Sequence, residues 1–242
     1  MEPGNIVEYI DSQKIICAVV MEIKKQRLKL LTENNREVNL SATRLTYKCN
    51  ERINLTTSRN RLVEMLKETA VRRRNLISRI NIEELWEVLK TEEEWIDLDT
   101  MTSFCFQEPL TTDHPSAVIR AFFQNRTYFK FNHDKFLPLS EKQVEKIIEQ
   151  AREKERIERL IHQGGNWLKH QLPRAHPEPL TDETEKFAEI LKSCLIFGKN
   201  SPDYTTGKGM LETAGLDIGN KLFNLLVQVG TLDRHENIEL LR

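Results

Sequence analysis

The side chains of this 242-residue chain best suited to chemistry are cations, gathered in three stretches. Arg72, Arg73 and Arg74 follow one another in a segment that also carries Arg59, Arg61 and Lys67. A planar guanidinium fork matches phosphate oxygens, yet at helical spacing the same residues can pair with Glu64 and Glu68 one turn away, and the spacing does not decide between the two. Lys24, Lys25 and Arg27 lie in a second basic stretch with Lys29, Arg36, Arg44 and Lys48. In the third, Arg120, Asn125, Arg126, Tyr128 and Lys130 are interleaved with Phe122, Phe129 and Phe131. Apolar periodicity assigns these phenylalanines, and Phe104 upstream, to a core, which leaves the polar residues between them for contact with a ligand.

No catalytic residue and no metal ligand set emerges. Gly207-Lys208-Gly209 falls short of a phosphate loop, which needs Gly where Pro202 stands and Ser or Thr where Gly209 stands. The six histidines are isolated, and His162 and His170 flank a glycine pair without a third ligand at metal spacing. Asp97 and Asp99 beside a helix start suit end-capping better than acid–base work. The four cysteines, Cys17, Cys49, Cys105 and Cys194, are scattered among apolar residues, the pattern of buried free thiols in a reducing cytoplasm, so neither a disulfide nor zinc is expected. The longest apolar runs, such as Ile15 to Val20, are far too short to cross a bilayer, and no membrane association is expected.

The net charge of -1 conceals an asymmetry. Residues 1–79 carry 16 Lys and Arg against 9 Asp and Glu, a balance of +7, whereas residues 80–242 carry 20 against 28, a balance of -8. A basic first third suits a polyanionic partner, or a solvated face.

The elements that must position these residues give an α+β chain, mainly helical. Short alternating strands at Ile6–Tyr9, Lys14–Ile23, Gln26–Leu31, Glu37–Leu40 and near Tyr47, separated by polar corners, make a small β-barrel over residues 1–55. A basic linking helix follows over 56–78, with Leu62, Val63, Leu66, Ala70 and Val71 as its stripe. Residues 79–139 read as a winged helix-turn-helix. Helices around Trp86 and at Leu98–Phe106 precede a third that opens at Pro115, capped by Asp113 or Ser116, and stops near Asn125. A hairpin then places Phe129 and Phe131 on one face and Tyr128 and Lys130 on the other, turning at Asn132-His133-Asp134. Residues 140–172 form a long charged helix capped by Ser140 with Gln143, ending at Gly164-Gly165 before a short coda from Asn166 to Leu172. After Pro173, Pro177 and Pro179, residues 173–242 form a helical, helix-turn-helix-like unit with helices near 182–197, 203–214, 217–229 and 235–241. Its third stripe starts at Ile218, and Gly198, Gly215 and Gly230 stand at helix ends.

The order of these parts, from MEPGNIVEYID through RTYFKFNHDKFLPLS to GLDIGNKLFNLLVQVGTLDRHENIELLR, resembles the N-terminal half of bacterial exoribonucleases of the ribonuclease II (RNB) family. The resemblance implies an RNA-binding region that gathers or orients single-stranded RNA for a catalytic domain hydrolysing it from the 3′ end. It further implies that the sequence stops before that domain, where magnesium is expected, so no cofactor and no catalytic residue is assigned to this chain. It leaves Lys24, Lys25, Arg27, Arg72, Arg73, Arg74, Arg120, Arg126, Tyr128 and Lys130 as the RNA-binding set. Two rival readings remain: a DNA-binding winged-helix regulator with Pro115–Gln124 in a major groove, and a protein–protein adaptor.

Overall fold

The computed structural model describes all residues except 26, 108, 133, 172–177, 218 and 236–242. The expected features at His133, at Leu172 to Pro177, at Ile218 and in the helix of 235–241 beyond His235 lie outside the described residues. The chain divides into two compact units, Met1–Lys146 and Ile147–Arg242.

The first unit opens with a five-stranded antiparallel sheet, β1 (Asn5–Asp11), β2 (Lys14–Lys24), β3 (Arg27–Thr32), β4 (Glu37–Ser41) and β5 (Leu45–Arg52), in the order β4-β3-β2-β1-β5. Ser12 and Gln13 both take positive φ, so a two-residue turn joins β1 to β2 with Asp11 opposite Lys14. A one-turn 3₁₀ helix, Ala42–Arg44, swings β5 across to the free edge of β1. Both faces of the sheet are buried. One carries Val7, Tyr9, Val20, Leu28, Leu30 and Leu40, a cluster whose members all come from the sheet and its turns, so the sheet curves around them as an open barrel with β4 and β5 as its edges. The other face, with Ile6, Cys17, Val19 and Leu31, packs against Leu62, Val63, Leu66 and Ala70 of α1 (Arg59–Ile77). Ser58 caps α1 through the Arg61 N–H at 3.4 Å.

Next come α2 (Ile82–Leu89), the two-residue strand β6 (Ile96–Asp97), α3 (Leu98–Cys105) and α4 (Asp113–Gln124), then the wing strands β7 (Phe129–Asn132) and β8 (Lys135–Pro138). The winged helix expected from the sequence is present, but its wing has three strands, in the order β6-β8-β7. A two-residue strand is too short to show a period, so β6 left no trace in the alternation. Asp97 caps α3 through the Thr100 N–H at 2.9 Å, as expected. Neither expected cap closes α4, which begins at Asp113 without a side-chain cap bond because Asp113 and Ser116 are engaged elsewhere. Phe122 packs edge-on against Phe129 and Phe136 at 5.0 and 4.6 Å, fastening α4 to the wing. The Trp86 indole donates to the Leu139 carbonyl at 2.7 Å and closes α2 onto the end of the wing. Phe104 departs from expectation: it is 50% exposed, because Met101 and Thr102 supply the buried face of the short helix α3.

A long helix, α5 (Glu141–Gln171), starts in the first unit, where Gln143 accepts from the Ser140 N–H at 3.0 Å, and continues through the second. It does not end at Gly164-Gly165. A Cβ at Gly164 would lie 2.6 Å from Met210 Sδ, and one at Gly165 2.5 Å from Thr213 Cβ, so these glycines admit close contact with α7 (Tyr204–Ala214) rather than stopping the helix. Gly209 of α7 answers them, its absent Cβ falling 2.8 Å from Ile161 Cδ1. With α6 (Asp182–Phe197) and α8 (Asn220–Gln228) these helices enclose Trp167, Leu168, Phe187, Leu191, Met210 and Leu226. Thr181 and Thr184 form a capping box on α6. Gly215, at φ 72°, ends α7 with its own N–H and that of Leu216 turned back onto Leu211 and Glu212, as its sequence position predicts.

Candidate functional site

The alternation of β1 places Glu8 on the same face as Ile6, toward α1, in the middle of a buried strand. Its side chain is fully buried, and it has partners from two helices. Oε1 accepts from Arg73 Nη1 at 2.7 Å and from Arg120 Nη2 and Nε at 2.7 and 3.1 Å, while Ser116 Oγ donates to Oε2 at 2.6 Å. Arg73 then uses Nε to reach Asp113 Oδ1 at 2.7 Å, and Arg72 Nε donates to Asp113 Oδ2 at 3.0 Å. Three guanidiniums and two carboxylates thus form one chain of charge joining β1, α1 and α4. Tyr47 of β5 completes the wall: its ring lies 5.6 Å from the Arg73 guanidinium and its hydroxyl donates to the Thr112 carbonyl at 2.8 Å.

Electrostatics follow from burial. Loss of water pushes Asp113 up, but the hydrogen bonds from Arg73 and Arg72 outweigh it and hold the carboxyl below its usual range. Burial disfavours the Arg73 cation, and the charge of Glu8 more than restores it. Under Glu8, burial and the adjacent carboxylate push the Cys17 thiol up, while burial alone takes Cys105 to about 12, so neither offers a thiolate at neutral pH. Cys17, Cys49 and Cys194 are buried free thiols.

This arrangement sorts the cations that the sequence put forward. Arg73 and Arg120 are buried at 0% and 6% exposure with their charge committed to Glu8 and Asp113, so neither is available to an external phosphate. The outward position expected for Arg120 is therefore corrected: α4 is buried along Ser116–Phe122, and its arginine follows the core. The triplet does not pair with Glu64 and Glu68, which belong to Arg61 at 3.2 and 3.7 Å. On either side of Arg73, Arg72 and Arg74 are exposed and border different clefts. Arg72 lines one of about 1050 Å³ with Asn75, Leu110 and Asp113, and Arg74 one of about 570 Å³ with Lys14, Lys67 and Glu33. Lys24, Lys25 and Arg27 are exposed at the β2–β3 turn, where Lys24 meets Glu22 at 3.2 Å. On the wing, Arg126 is exposed with its guanidinium 4.8 Å from the Phe123 ring, and Lys130 is exposed 5.7 Å from the Trp95 ring. Tyr128, expected to project beside Lys130, is instead half-buried at 5.5 Å from the Trp86 ring. Phe129 is buried as expected and Phe131 half-buried against Phe136.

Sequence reasoning missed Glu8, Asp113, Lys14, Lys67 and Glu33 as members of a site. For Glu8 a signal existed, an acid two residues from Ile6 on the apolar face of a strand. For Arg73 it was the stripe Leu62, Leu66, Thr69, Arg73 at helical spacing. Among the described residues no three His, Cys, Asp or Glu gather as a metal site, and no described helix is long and apolar enough to cross a membrane.

No curated protein matches the chain. The structure resembles, with TM-score 0.43 and 9% identity over 99% of the chain, an active-site mutant of the Dss1 exoribonuclease from Candida glabrata, of which it spans 37%. Residues 144–238 match the family HTH_RNase_II, a double HTH domain. That match takes in the stretch from Val144 of α5 through α6, α7 and α8, so this helical stretch is similar to the double helix-turn-helix domain of that family.

Proposed function

We propose that the chain is the RNA-binding N-terminal region of a ribonuclease II family exoribonuclease, gathering or orienting single-stranded RNA for a 3′-to-5′ hydrolytic domain outside this sequence. The observation that carries the proposal is the match of residues 144–238 to the family's double helix-turn-helix domain. The exposed cations Lys24, Lys25, Arg27, Arg72, Arg74, Arg126 and Lys130 support it as the phosphate-contacting set, since phosphate contact supplies sequence-independent affinity. Cleavage belongs to the other domain, with magnesium held by its carboxylates. A cytoplasmic setting suits the free thiols.

The rival reading of α4 as a DNA-recognition helix is disfavoured by burial, because a helix covered along Ser116–Phe122 has no face to lay in a major groove. The test is a titration of labelled single-stranded RNA and of duplex DNA at several salt concentrations, with magnesium present. The expected result is RNA binding that weakens as salt rises and leaves the RNA uncut. Preference for duplex DNA would favour the regulator, and stepwise release of mononucleotides would overturn the division of labour.

A further inference from the structure

The cleft beside Arg74 gathers three cations of the basic first third into one concavity. Several surface cations of that third have an acid at hand: Lys29 meets Glu37 at 2.9 Å, Arg61 meets Glu64 and Glu68, and Arg52 meets Glu2. Lys14, Lys67 and Arg74 have no ion pair among the described residues, yet they line one concavity. The β1–β2 turn delivers Lys14, and α1 delivers Lys67 and Arg74 two turns apart with Val71 between them on the cleft wall. Arg74 spends only Nε, on the Ala70 carbonyl at 3.3 Å. The opposite wall is the end of α4, where the half-buried Phe123 carries the Arg126 guanidinium over its ring.

Glu33 is the one carboxylate among the described lining residues. Burial raises its pKa while Arg120 and Arg74 draw it down. The volume, about 570 Å³, lies in the range of small-ligand sites and admits a nucleotide but not a duplex. Phosphate oxygens suit the cations, and an unpaired base suits the apolar wall of Val71 and Phe123.

We propose that the cleft framed by Lys14, Lys67 and Arg74 holds a backbone phosphate and its attached nucleotide from a single strand of RNA. This rests on the RNA-binding reading above and names where in the first unit the strand is gripped. The cleft lies between the barrel, α1 and α4, so the charge cluster around Glu8, whose Arg120 also lines the cleft, holds its walls at fixed separation.

The test uses the whole chain and a fluorescent twelve-nucleotide oligouridylate, titrated at several salt concentrations. Wild type is compared with K67A/R74A and with R52A/R61A, which removes the same charge from cations that already have acidic partners. K67A/R74A is expected to bind about tenfold more weakly, with the slope of log affinity against log salt shallower by about 0.7 for each phosphate no longer neutralised, and to melt at the wild-type temperature. R52A/R61A should stay within about twofold of wild type. E33Q should bind about two to three times more tightly, because it removes a negative charge from the phosphate's surroundings. Equal weakening in the two double variants, or weaker binding by E33Q, would overturn the cleft as a site while leaving RNA binding by the chain intact. Failure of wild type to bind the oligouridylate at low salt would instead overturn the RNA-binding reading and the cleft with it.

Discussion

The two units are held by opposite means. In the first, β1, α1 and α4 are joined by a buried line of charge from Arg120 through Glu8 and Arg73 to Asp113. In the second, α5 and α7 are joined by absence of side chain, with Gly164, Gly165 and Gly209 at the points of closest approach. A buried ion pair contributes little net stability compared with an apolar isostere, because desolvation offsets most of the attraction, but losing one partner leaves the other charged in a dry site. A glycine contact carries no such hazard and fails by excess volume instead. Charge fixes direction and register as well as proximity. The first unit, whose elements frame clefts, uses charge, and the second uses shape.

Glu8→Ala strikes the charged unit hardest. It strands Arg73 and Arg120 at 0% and 6% exposure, and the expected loss is about 3–5 kcal/mol in chemical denaturation. A loss below about 1 kcal/mol would mean that water reaches the cluster. Gly165→Ala probes the other unit. Its methyl group would meet the Thr213 side chain at 2.5 Å, so a loss of about 1–3 kcal/mol is expected even though alanine is the better helix former. A gain in melting temperature would show that the helices can part without cost.

Acid separates the two modes more gently. The Asp113 pKa is lowered in the folded state, so its contribution is complete above the ordinary aspartate value near 4 and is lost as pH falls through the lower folded value. Denaturation followed from pH 5 down to pH 2 should show this loss in wild type, with a smaller one in Asp113→Asn, and parallel curves would remove Asp113 from the charged line. The smallest effect is expected at Lys90, which meets Glu141 at 2.7 Å and Glu87 at 3.0 Å on the surface. Lys90→Ala should leave chemical denaturation close to that of wild type, which sets the contrast between exposed and buried pairs.

What could be read from the sequence was whatever repeats along it. Strand alternation in residues 4–48, the stripes of α1, α4, α6 and α8, and the stops at Gly215 and Gly230 are local patterns, and the architecture of barrel, winged helix and helical unit follows from them. The misses are all decided between elements. Gly164-Gly165 has the composition of a helix end, and only the presence of α7 makes it a close contact inside a helix. Arg120 stands among the apolar residues Val118, Ile119, Ala121 and Phe122 of α4, and only Glu8, 112 residues earlier, gives its charge a buried partner. Tyr128 follows the alternation but rests on Trp86 from α2, and the clefts exist only where strand turns meet helices.

Within the triplet Arg72-Arg73-Arg74, three identical side chains in a row are assigned two different roles by burial alone. The direct measurement is the affinity for single-stranded RNA of Arg73→Lys and Arg74→Ala, taken at a temperature where both are folded and reported with their melting temperatures. Arg73→Lys is expected to lower the melting temperature and leave RNA affinity unchanged, whereas Arg74→Ala is expected to weaken RNA binding and leave the melting temperature unchanged. Weaker RNA binding by folded Arg73→Lys, with Arg74→Ala indistinguishable from wild type, would contradict the division of roles.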